Sequence, residues 1–273
     1  MFTISQHHEF IRPAQLAGDE RIVLSIGRDI LLTPSRQLPQ AAAILQLLPP
    51  DTPLLVTGAL DGRPVCAAEL PPDAPVQSTA TLIRSGARTV FLADDPALVN
   101  AVCRSRTLAA WAALHRFCGR CAQPLQPAPG DLALACPHCR ARYYPQVAPA
   151  VIVAVSRNNG QELLLAHNRS FEDNIYGLLA GFIEAGETAE QAVSREIMEE
   201  AGISVRNIRY LRSQPWPFPN SLMVAFTAEY AAGDAHPDGT ELTRLGWFNR
   251  GSLPQLPRAG SIAARVIADF FKL

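Results

Sequence analysis

The sequence has almost no lysine: Lys272 is the only one among 24 basic residues, and the others are arginines. We interpret this as a composition bias rather than a functional signal. With 25 acidic residues, the formal net charge is −1, so the chain lacks the positive field that draws proteins onto nucleic acids or anionic membranes. Any such binding must be local. Charged residues make up 18% of the chain and hydrophobic residues 48%, which excludes a disordered tail or a coiled coil.

Long apolar runs are also missing. The most apolar stretches, residues 41–48 and 147–155, are much shorter than the roughly 18 residues that a membrane span requires. The start, MFTISQHHEF, has no basic segment followed by an apolar run, as a secretory signal would have. These absences predict a cytoplasmic protein without a membrane span. A length of 273 residues is enough for about two compact domains.

The first 110 residues carry short apolar runs between clusters of Pro, Gly and Asp. Ile22–Ile26, Leu54–Thr57 and Thr89–Leu92 are of this kind and predict short strands, with one or two helices between them. No residue pattern here indicates chemistry. Residues 1–110 are therefore expected to form a mixed α/β scaffold domain, and an amphipathic stretch from Thr107 to His115 predicts a helix that leads into the next segment.

Four of the six cysteines form two C-x-x-C pairs, separated by fourteen residues: Cys118, Cys121, Cys136 and Cys139. Two tight turns of this kind can place four thiolates tetrahedrally around one Zn²⁺. A shell of four sulfurs leaves no open position for substrate, so the metal would be structural. Two disulfides or four free thiols are the alternatives. Residues 111–145 are thus predicted to form a central zinc ribbon.

Basic residues surround these cysteines: His115, Arg116, Arg120, Arg140 and Arg142. They could bind nucleic acid or form a solvated rim. The loop between the pairs, Gln123 to Leu134, carries no aromatic ring on which a base could stack. Both interpretations stay open.

The most informative segment is a predicted helix from Thr188 to Ala201. At about 100° per residue, its apolar side chains form one stripe, and Glu200 falls near the centre of that stripe with Glu196 within about 40°. Inward-facing carboxylates are costly unless something neutralises them. Together with Glu199 they offer hard oxygen ligands on one side of the helix, which suits Mg²⁺ or Mn²⁺ bound to substrate phosphates. A solvated acidic face is the alternative.

The flanking residues fit this interpretation. Arg195 is placed to pair with Glu187 or Glu199 and so to fix the carboxylates, and Gly202 suits a left-handed helix cap. Gly181, five residues, Glu187, seven residues and then REIMEEAGI from Arg195 to Ile203 reproduce every fixed position of the Nudix box. The chain therefore resembles the Nudix hydrolases. The resemblance implies an α/β/α sandwich over residues 146–273, and so an α+β chain of three parts, with metal-assisted hydrolysis of a nucleoside diphosphate linked to another moiety.

An unusual string, SQPWPFPNSLM, runs from Ser213 to Met223. Its prolines restrict the backbone around Trp216 and Phe218 and preset the two rings, as stacking on a base or nicotinamide requires. Because it combines this string with the box, the ribbon and an N-terminal domain, the chain resembles the NAD(H) pyrophosphatase subfamily. The resemblance implies cleavage of NAD(H) to AMP and nicotinamide mononucleotide, removal of a 5′ NAD cap from RNA to leave 5′-monophosphate RNA, and a homodimer.

The same resemblance implies roles for individual residues. Glu196, Glu199 and Glu200 match metal ligands, Glu200 also matches the group that activates water, and Glu241 matches a distal carboxylate that completes the metal cluster, with Asp238 as its rival. Phe182 matches a ring that stacks on the nicotinamide. The other matching substrate positions are Tyr144, Ala180, Gln214, Pro215, Trp216, Pro217, Phe218, Pro219, Asn220, Ser221 and Ala263.

Two rival interpretations remain. One is a Nudix enzyme for another substrate, such as ADP-ribose or a dinucleoside polyphosphate. Only the string around Trp216 distinguishes an NAD(H) pyrophosphatase from such enzymes. The other is a zinc-ribbon RNA-binding module whose catalytic domain has decayed, against which the intact glutamates argue. The sequence decides neither between NAD(H) and capped RNA nor between Mg²⁺ and Mn²⁺.

Overall fold

The computed structural model describes residues 1–5, 9–92, 95–171 and 174–273. The chain divides into two compact units. The first comprises Met1–Gln146 together with Pro217–Asn220, and the second comprises Val147–Trp216 and Ser221–Leu273. Each is described by itself.

The first unit contains a mixed sheet whose strands follow the spatial order β1-β5-β6-β3-β4-β7, with β2 paired to β5. Its strands are β1 Phe2–Ile4, β2 Phe10–Ile11, β3 Arg21–Ile26, β4 Asp29–Leu32, β5 Leu54–Leu60, β6 Arg63–Leu70 and β7 Ile83–Gly86. The β3 and β6 pair is parallel, and the other pairs are antiparallel. A short helix, α1 (Ala41–Ile44), adds Ala41 and Ile44 to the core formed by this sheet.

A long helix, α2 (Pro96–Leu114), packs against β5 and β6. The Asp95 side chain caps its first turn by accepting hydrogen bonds from the amides of Ala97 and Leu98, both at 3.0 Å. A buried hydroxyl pair, Thr57 Oγ1 and Ser105 Oγ at 2.7 Å, links the helix to β5. The helix is therefore an integral layer of the first unit.

The cysteine segment forms a small antiparallel sheet in the order β10-β9-β8. Its strands are β8 Gln126–Pro127, β9 Leu134–Ala135 and β10 Arg142–Tyr143. Strands of two residues bury little apolar surface, so a cross-link is needed to stabilise such a segment.

The second unit is built on a mixed sheet in the order β14-β15-β11-β12-β16, with β13 paired to β11. Its strands are β11 Ala148–Arg157, β12 Glu162–Asn168, β13 Leu179–Phe182, β14 Ser204–Trp216, β15 Ser221–Ala232 and β16 Leu242–Phe248. The central β11 and β15 pair is parallel, and β14 and β15 are antiparallel neighbours.

Helices cover both faces of this sheet. Helix α3 (Ala189–Ala201) packs into the core on one face, and α4 (Ile262–Phe271) packs into the core on the other. Alternate residues of β11 supply the two cores, since Val151 and Val153 join α3 whereas Ile152 and Ala154 join α4. This is the α/β/α sandwich that the sequence predicted, and the α+β assignment of the chain is confirmed.

In the first unit one local prediction was wrong, and another identified a helix but not its beginning. The stretch Thr89–Leu92 lies in a 3-10 helix, Ala87–Leu92, rather than in a strand. The helix predicted over Thr107–His115 begins at Pro96. Its first half is buried on several sides, so its apolar residues show no single stripe that a periodicity argument can detect. Among the described residues, no helix is both long enough and apolar enough to cross a membrane.

Candidate active site and zinc site

Helix α3 is fixed at both ends by its own sequence. Thr188 caps its start: its hydroxyl accepts from the Gln191 amide at 3.2 Å, while the Gln191 side chain accepts from the Thr188 amide at 2.8 Å. Gly202 ends the helix in the left-handed conformation, with φ at 69°, as predicted. The helix therefore has a defined length and a defined register on the sheet.

This register directs the side chain of Glu200 towards the interior of the second unit. Its residue is 7% exposed, and it lies on the same side as the buried Val193 and Ile197. The prediction of an inward-facing carboxylate is confirmed. The side chain of Glu196 is 13% exposed, whereas that of Glu199 is 60% exposed. The three carboxylates thus run from the interior to the surface along one side of α3.

Arg195 holds this group together. Its guanidinium donates two hydrogen bonds to Glu187, at 2.6 and 2.8 Å, and bonds of 2.9 and 3.0 Å to Glu196 and Glu199. A further bond of 2.9 Å reaches the carbonyl of Phe182. Only the planar fork of arginine can serve so many acceptors at once. The expected pairing with Glu187 or Glu199 is thus found with both.

The residue at 181 must be small because of Glu196. A Cβ atom built on Gly181 would lie 1.9 to 2.2 Å from the three atoms of the Glu196 carboxyl group. Atoms in ordinary contact are about 3.5 Å apart or more. Gly181, in β13, therefore makes room for the carboxylate that Arg195 holds in place.

Burial raises the pKa of Glu200 to about 8, and repulsion from Glu196, Glu241 and Asp238 contributes to the rise. The Ala180 amide donates a hydrogen bond to this carboxylate. No described residue gives Oε2 of Glu200 a hydrogen-bond partner. Burial also raises the pKa of Glu196. The environment thus disfavours the charged forms of Glu196 and Glu200, and a bound cation would stabilise these charged forms.

The two candidates for the distal carboxylate differ in their surroundings. Asp238 accepts from the amides of Thr240, Glu241 and Leu242, at 3.2, 3.0 and 2.8 Å, and also from the Thr240 hydroxyl. The Thr240 hydroxyl and these amides hold the pKa of the Asp238 carboxyl well below its usual range. Asp238 therefore shapes the turn, and the exposed Glu241 follows it with its charge acting on Glu200 and Glu196.

The donor set fits a divalent cation. It consists of hard carboxylate oxygens, and the buried Oε2 of Glu200 lacks a partner among the described residues. The oxygens are not drawn tightly together, since Arg195 holds one oxygen each of Glu196 and Glu199. In the part of the chain that the structure describes, only the four cysteines form a group whose ligand atoms all lie within 4.8 Å of one another.

The cysteine site is formed by two C-x-x-C turns of similar geometry. Sγ of Cys118 lies 3.5 Å from that of Cys139, and Sγ of Cys121 lies 3.4 Å from that of Cys136. In each turn a backbone amide donates to the first thiol, from Arg120 to Cys118 and from Cys139 to Cys136, both at 3.4 Å. Such amides stabilise thiolates, the form that binds zinc.

One tyrosine supports the first turn. Tyr143 Oη lies 3.3 Å from Sγ of Cys118 and accepts a hydrogen bond of 2.9 Å from the Gly119 amide. The hydrogen bond from Tyr143, together with those from the amides of Arg120 and Cys121, lowers the pKa of Cys118 to about 6. His138 is exposed, and the four thiol groups lie together as predicted.

The string from Ser213 to Met223 forms the end of β14, a connection and the start of β15. Gln214 lies opposite Met223, and Trp216 lies opposite Ser221. Gln214 is buried, and its Nε2 donates 3.0 Å to the carbonyl of Gly260. The structure thus brings the start of the string to Gly260, in the segment that precedes α4. Ala263 lies in the first turn of α4.

The remaining substrate candidates are more exposed. Phe182 is 57% exposed at the end of β13, and its own backbone carbonyl accepts a hydrogen bond from Arg195. Ala180 lies in the same strand and pairs with Ile152. In the first unit, Tyr144 is 51% exposed, and its Oη donates 2.9 Å to Asp131.

Comparison with known proteins agrees with this geometry. Residues 146–270 match the NUDIX domain, and residues 113–144 match the NADH pyrophosphatase zinc ribbon domain. The NAD-capped RNA hydrolase NudC of Pectobacterium atrosepticum is 49% identical over 179 residues, which are 66% of this chain and 68% of that protein. The chain belongs to the Nudix hydrolases. The NAD-capped RNA hydrolase NudC of Klebsiella pneumoniae is 47% identical over 184 residues, covering 67% of this chain and 71% of that protein.

A crystal structure of a Nudix hydrolase from Nitrosomonas europaea aligns with 57% of this chain and 88% of its own, at a TM-score of 0.45 and 25% identity. The zinc ribbon match, with the four clustered thiols, identifies the cysteine segment as a structural zinc site.

Sequence reasoning missed two features of this Nudix hydrolase. It gave Gly181 no physical role, since the clash with Glu196 depends on how β13 and α3 pack. It also assigned no partner to Phe218, whose ring lies near Arg88 and Arg106. No signal in the sequence joins residues more than a hundred positions apart.

Proposed function

We propose that this Nudix hydrolase cleaves the pyrophosphate of NAD(H) to AMP and nicotinamide mononucleotide, and removes the 5′ NAD cap from RNA to leave 5′-monophosphate RNA. The observation that carries this proposal is the buried Glu200 in a complete Nudix box, in a chain that also has the NADH pyrophosphatase zinc ribbon. The names of the relatives, NAD-capped RNA hydrolases, support the substrate.

We propose Glu196, Glu199, Glu200 and Glu241 as the residues that hold the catalytic Mg²⁺ or Mn²⁺. The engagement of Asp238 with its own turn favours Glu241 as the distal ligand. A bound divalent ion supplies charge screening of the phosphate oxygens and acidifies bound water.

Glu200 is the residue proposed to activate water. Its Oε2 lacks a partner among the described residues and is available to accept a proton as the water oxygen attacks phosphorus. One P–O bond of the pyrophosphate breaks as the new P–O bond forms, so NAD(H) and water give the two mononucleotides. Arg195 does not touch the substrate in this scheme; it keeps Glu196 and Glu199 in position.

The nicotinamide nucleotide is proposed to bind at Phe182, Ala180, Ala263 and the string from Gln214 to Ser221, with Tyr144 as a further contact. Two observations support a stacking role for Phe182: the residue is exposed, and its backbone carbonyl accepts a hydrogen bond from Arg195, which also binds Glu196. The buried Gln214 ties the string to Gly260 near Ala263.

The organisation around this site is also part of the proposal. We propose a scaffold domain over residues 1–110, a zinc ribbon over 111–145 and a Nudix domain over 146–273. We further propose a homodimer in the cytoplasm, where reducing conditions keep the ribbon cysteines available as thiolate ligands.

A product assay tests the function. NADH, ADP-ribose and NAD-capped RNA are offered separately with Mg²⁺ or Mn²⁺, and products are separated by mass spectrometry. We expect NADH to release reduced nicotinamide mononucleotide. We expect NAD-capped RNA to release nicotinamide mononucleotide and 5′-monophosphate RNA. Cleavage of ADP-ribose alone would contradict the nicotinamide assignment while leaving the Nudix chemistry intact.

A further inference from the structure

Phe218 has aromatic and cationic neighbours within the first unit. The segment Pro217–Asn220 belongs to that unit, whereas the chain up to Trp216 and from Ser221 belongs to the second. Within the first unit, the guanidinium carbon of Arg106 lies over the Phe218 ring at 5.5 Å from its centroid, and that of Arg88 lies at 5.1 Å. These distances are in the range of cation–π contacts.

Another neighbour of Phe218 among the described residues is an aromatic ring. The ring of Phe91 lies 6.1 Å from that of Phe218, tilted by 57°. Aromatic pairs at this separation attract each other. A flat substrate ring stacked on Phe218 would compete with these guanidinium groups for the faces of the ring.

Arg106 is itself rigidly held. Nη1 donates to Ser25 Oγ and to the carbonyl of Asp29, both at 3.3 Å, and Nη2 donates to the carbonyl of Gly27 at 3.1 Å. These acceptors lie at the connection between β3 and β4. Because three acceptors fix its plane, the guanidinium offers a preformed place for a ring.

The segment has a second tie in the first unit. Asn220 Nδ2 donates 3.0 Å to the carbonyl of Gln146. The residues that flank the segment, Trp216 and Ser221, lie opposite each other in β14 and β15. A connection of four residues held at two points has little conformational freedom of its own.

We propose that Phe218 contributes to the substrate-binding string as an anchor rather than by stacking on the substrate, and that Arg106 is a positioning residue which holds the connection Pro217–Asn220 through this anchor. The proposal deepens the function proposed above and rests on it for the substrate-binding role of the string. It gives the N-terminal part of the chain, which sequence analysis treated as a scaffold, a part in substrate affinity.

Hydrogen exchange in the substrate-free protein tests the anchor without reference to activity. Arg106→Met removes the guanidinium, and Arg104→Met is the matched control, since Arg104 is also a half-buried arginine of α2 but donates 2.8 Å to the carbonyl of Thr57. We expect amides between residues 216 and 221 to exchange at least fivefold faster in the Arg106 variant and unchanged in the control. Unchanged exchange in both variants would overturn the proposal.

Steady-state kinetics with NADH test the consequence. We expect Arg106→Met and Phe218→Leu each to raise KM about tenfold with kcat within threefold of the parent, and the double variant to match the single ones, because both remove the same anchor. An effect of Phe218→Leu alone, with a normal Arg106 variant, would show direct stacking and overturn the proposal.

Two further outcomes are distinguishable. Should Arg106→Met not fold, Arg106→Lys keeps the charge but cannot make all three hydrogen bonds, and the same faster exchange is expected. Should the parent protein not cleave NADH, the proposed function is wrong, and the exchange measurement still decides whether Phe218 is an anchor.

Discussion

Replacing Gly181 by alanine is the sharpest test of how the acidic site is built. The added methyl group would lie 1.9 Å from Cδ of Glu196, so the carboxyl group must move by about 1.5 Å to reach ordinary contact. That movement conflicts with the 2.9 Å hydrogen bond from Arg195. The backbone itself accepts alanine, since Gly181 lies in the paired strand β13 opposite Val151.

We therefore expect Gly181→Ala to lose activity with the fold retained. A displacement of about 1 Å at a catalytic group costs about a hundredfold in rate, or about 2.7 kcal/mol in transition-state stabilisation. The assay is kcat/KM with NADH, with circular dichroism and thermal unfolding on the same samples. Gly86→Ala is the control, because a Cβ there meets nothing within 4 Å. A folded Gly181→Ala enzyme with activity within twofold of the parent would refute the reasoning.

Three further predictions concern the supports of the two sites. Arg195→Lys keeps the charge but loses the fork to Glu187, Glu196 and Glu199, so kcat/KM should fall at least tenfold and the melting temperature should also fall; unchanged values would contradict the role as hub. Removing zinc with a chelator should lower the melting temperature and make the ribbon thiols reactive to alkylation, whereas unchanged reactivity would contradict the zinc site. Gly202→Ala should destabilise the protein more than Gly62→Ala, because both have positive φ but only the first would strike His236, at 2.3 Å; equal melting temperatures would contradict this.

The parts of the site that lie within one element followed from the sequence. The inward position of Glu200 depends only on the helical period and the apolar stripe of α3, and the structure places it there. The Gly202 cap and the pairing of Arg195 with Glu187 and Glu199 are likewise local in sequence. Each C-x-x-C spacing likewise predicted a turn, and the structure brings the two turns together, with Cys118 beside Cys139 and Cys121 beside Cys136.

What the sequence did not predict depends on packing between distant segments. The need for glycine at 181 arises where β13 meets α3, and the surround of Phe218 joins residues from α2 and the 3-10 helix before it. The early half of α2 was missed because a helix buried on several sides loses its amphipathic period. The proposal of Glu241 rather than Asp238 as the distal ligand rests on hydrogen bonds from the amides of one turn, which the sequence does not show.

The proposed hydrolysis of a pyrophosphate depends above all on the buried carboxylate of Glu200. Its most direct test is the rate at which the parent protein, Glu200→Gln and Glu190→Gln release reduced nicotinamide mononucleotide from NADH in the presence of Mg²⁺ or Mn²⁺. Glu190 lies on the same helix with its side chain exposed, so its variant is the matched control. We expect a loss of about a thousandfold or more for Glu200→Gln, on the scale of losing a catalytic acid or base, and normal activity for Glu190→Gln. Near-normal turnover by a folded Glu200→Gln protein would show that Glu200 does not activate water.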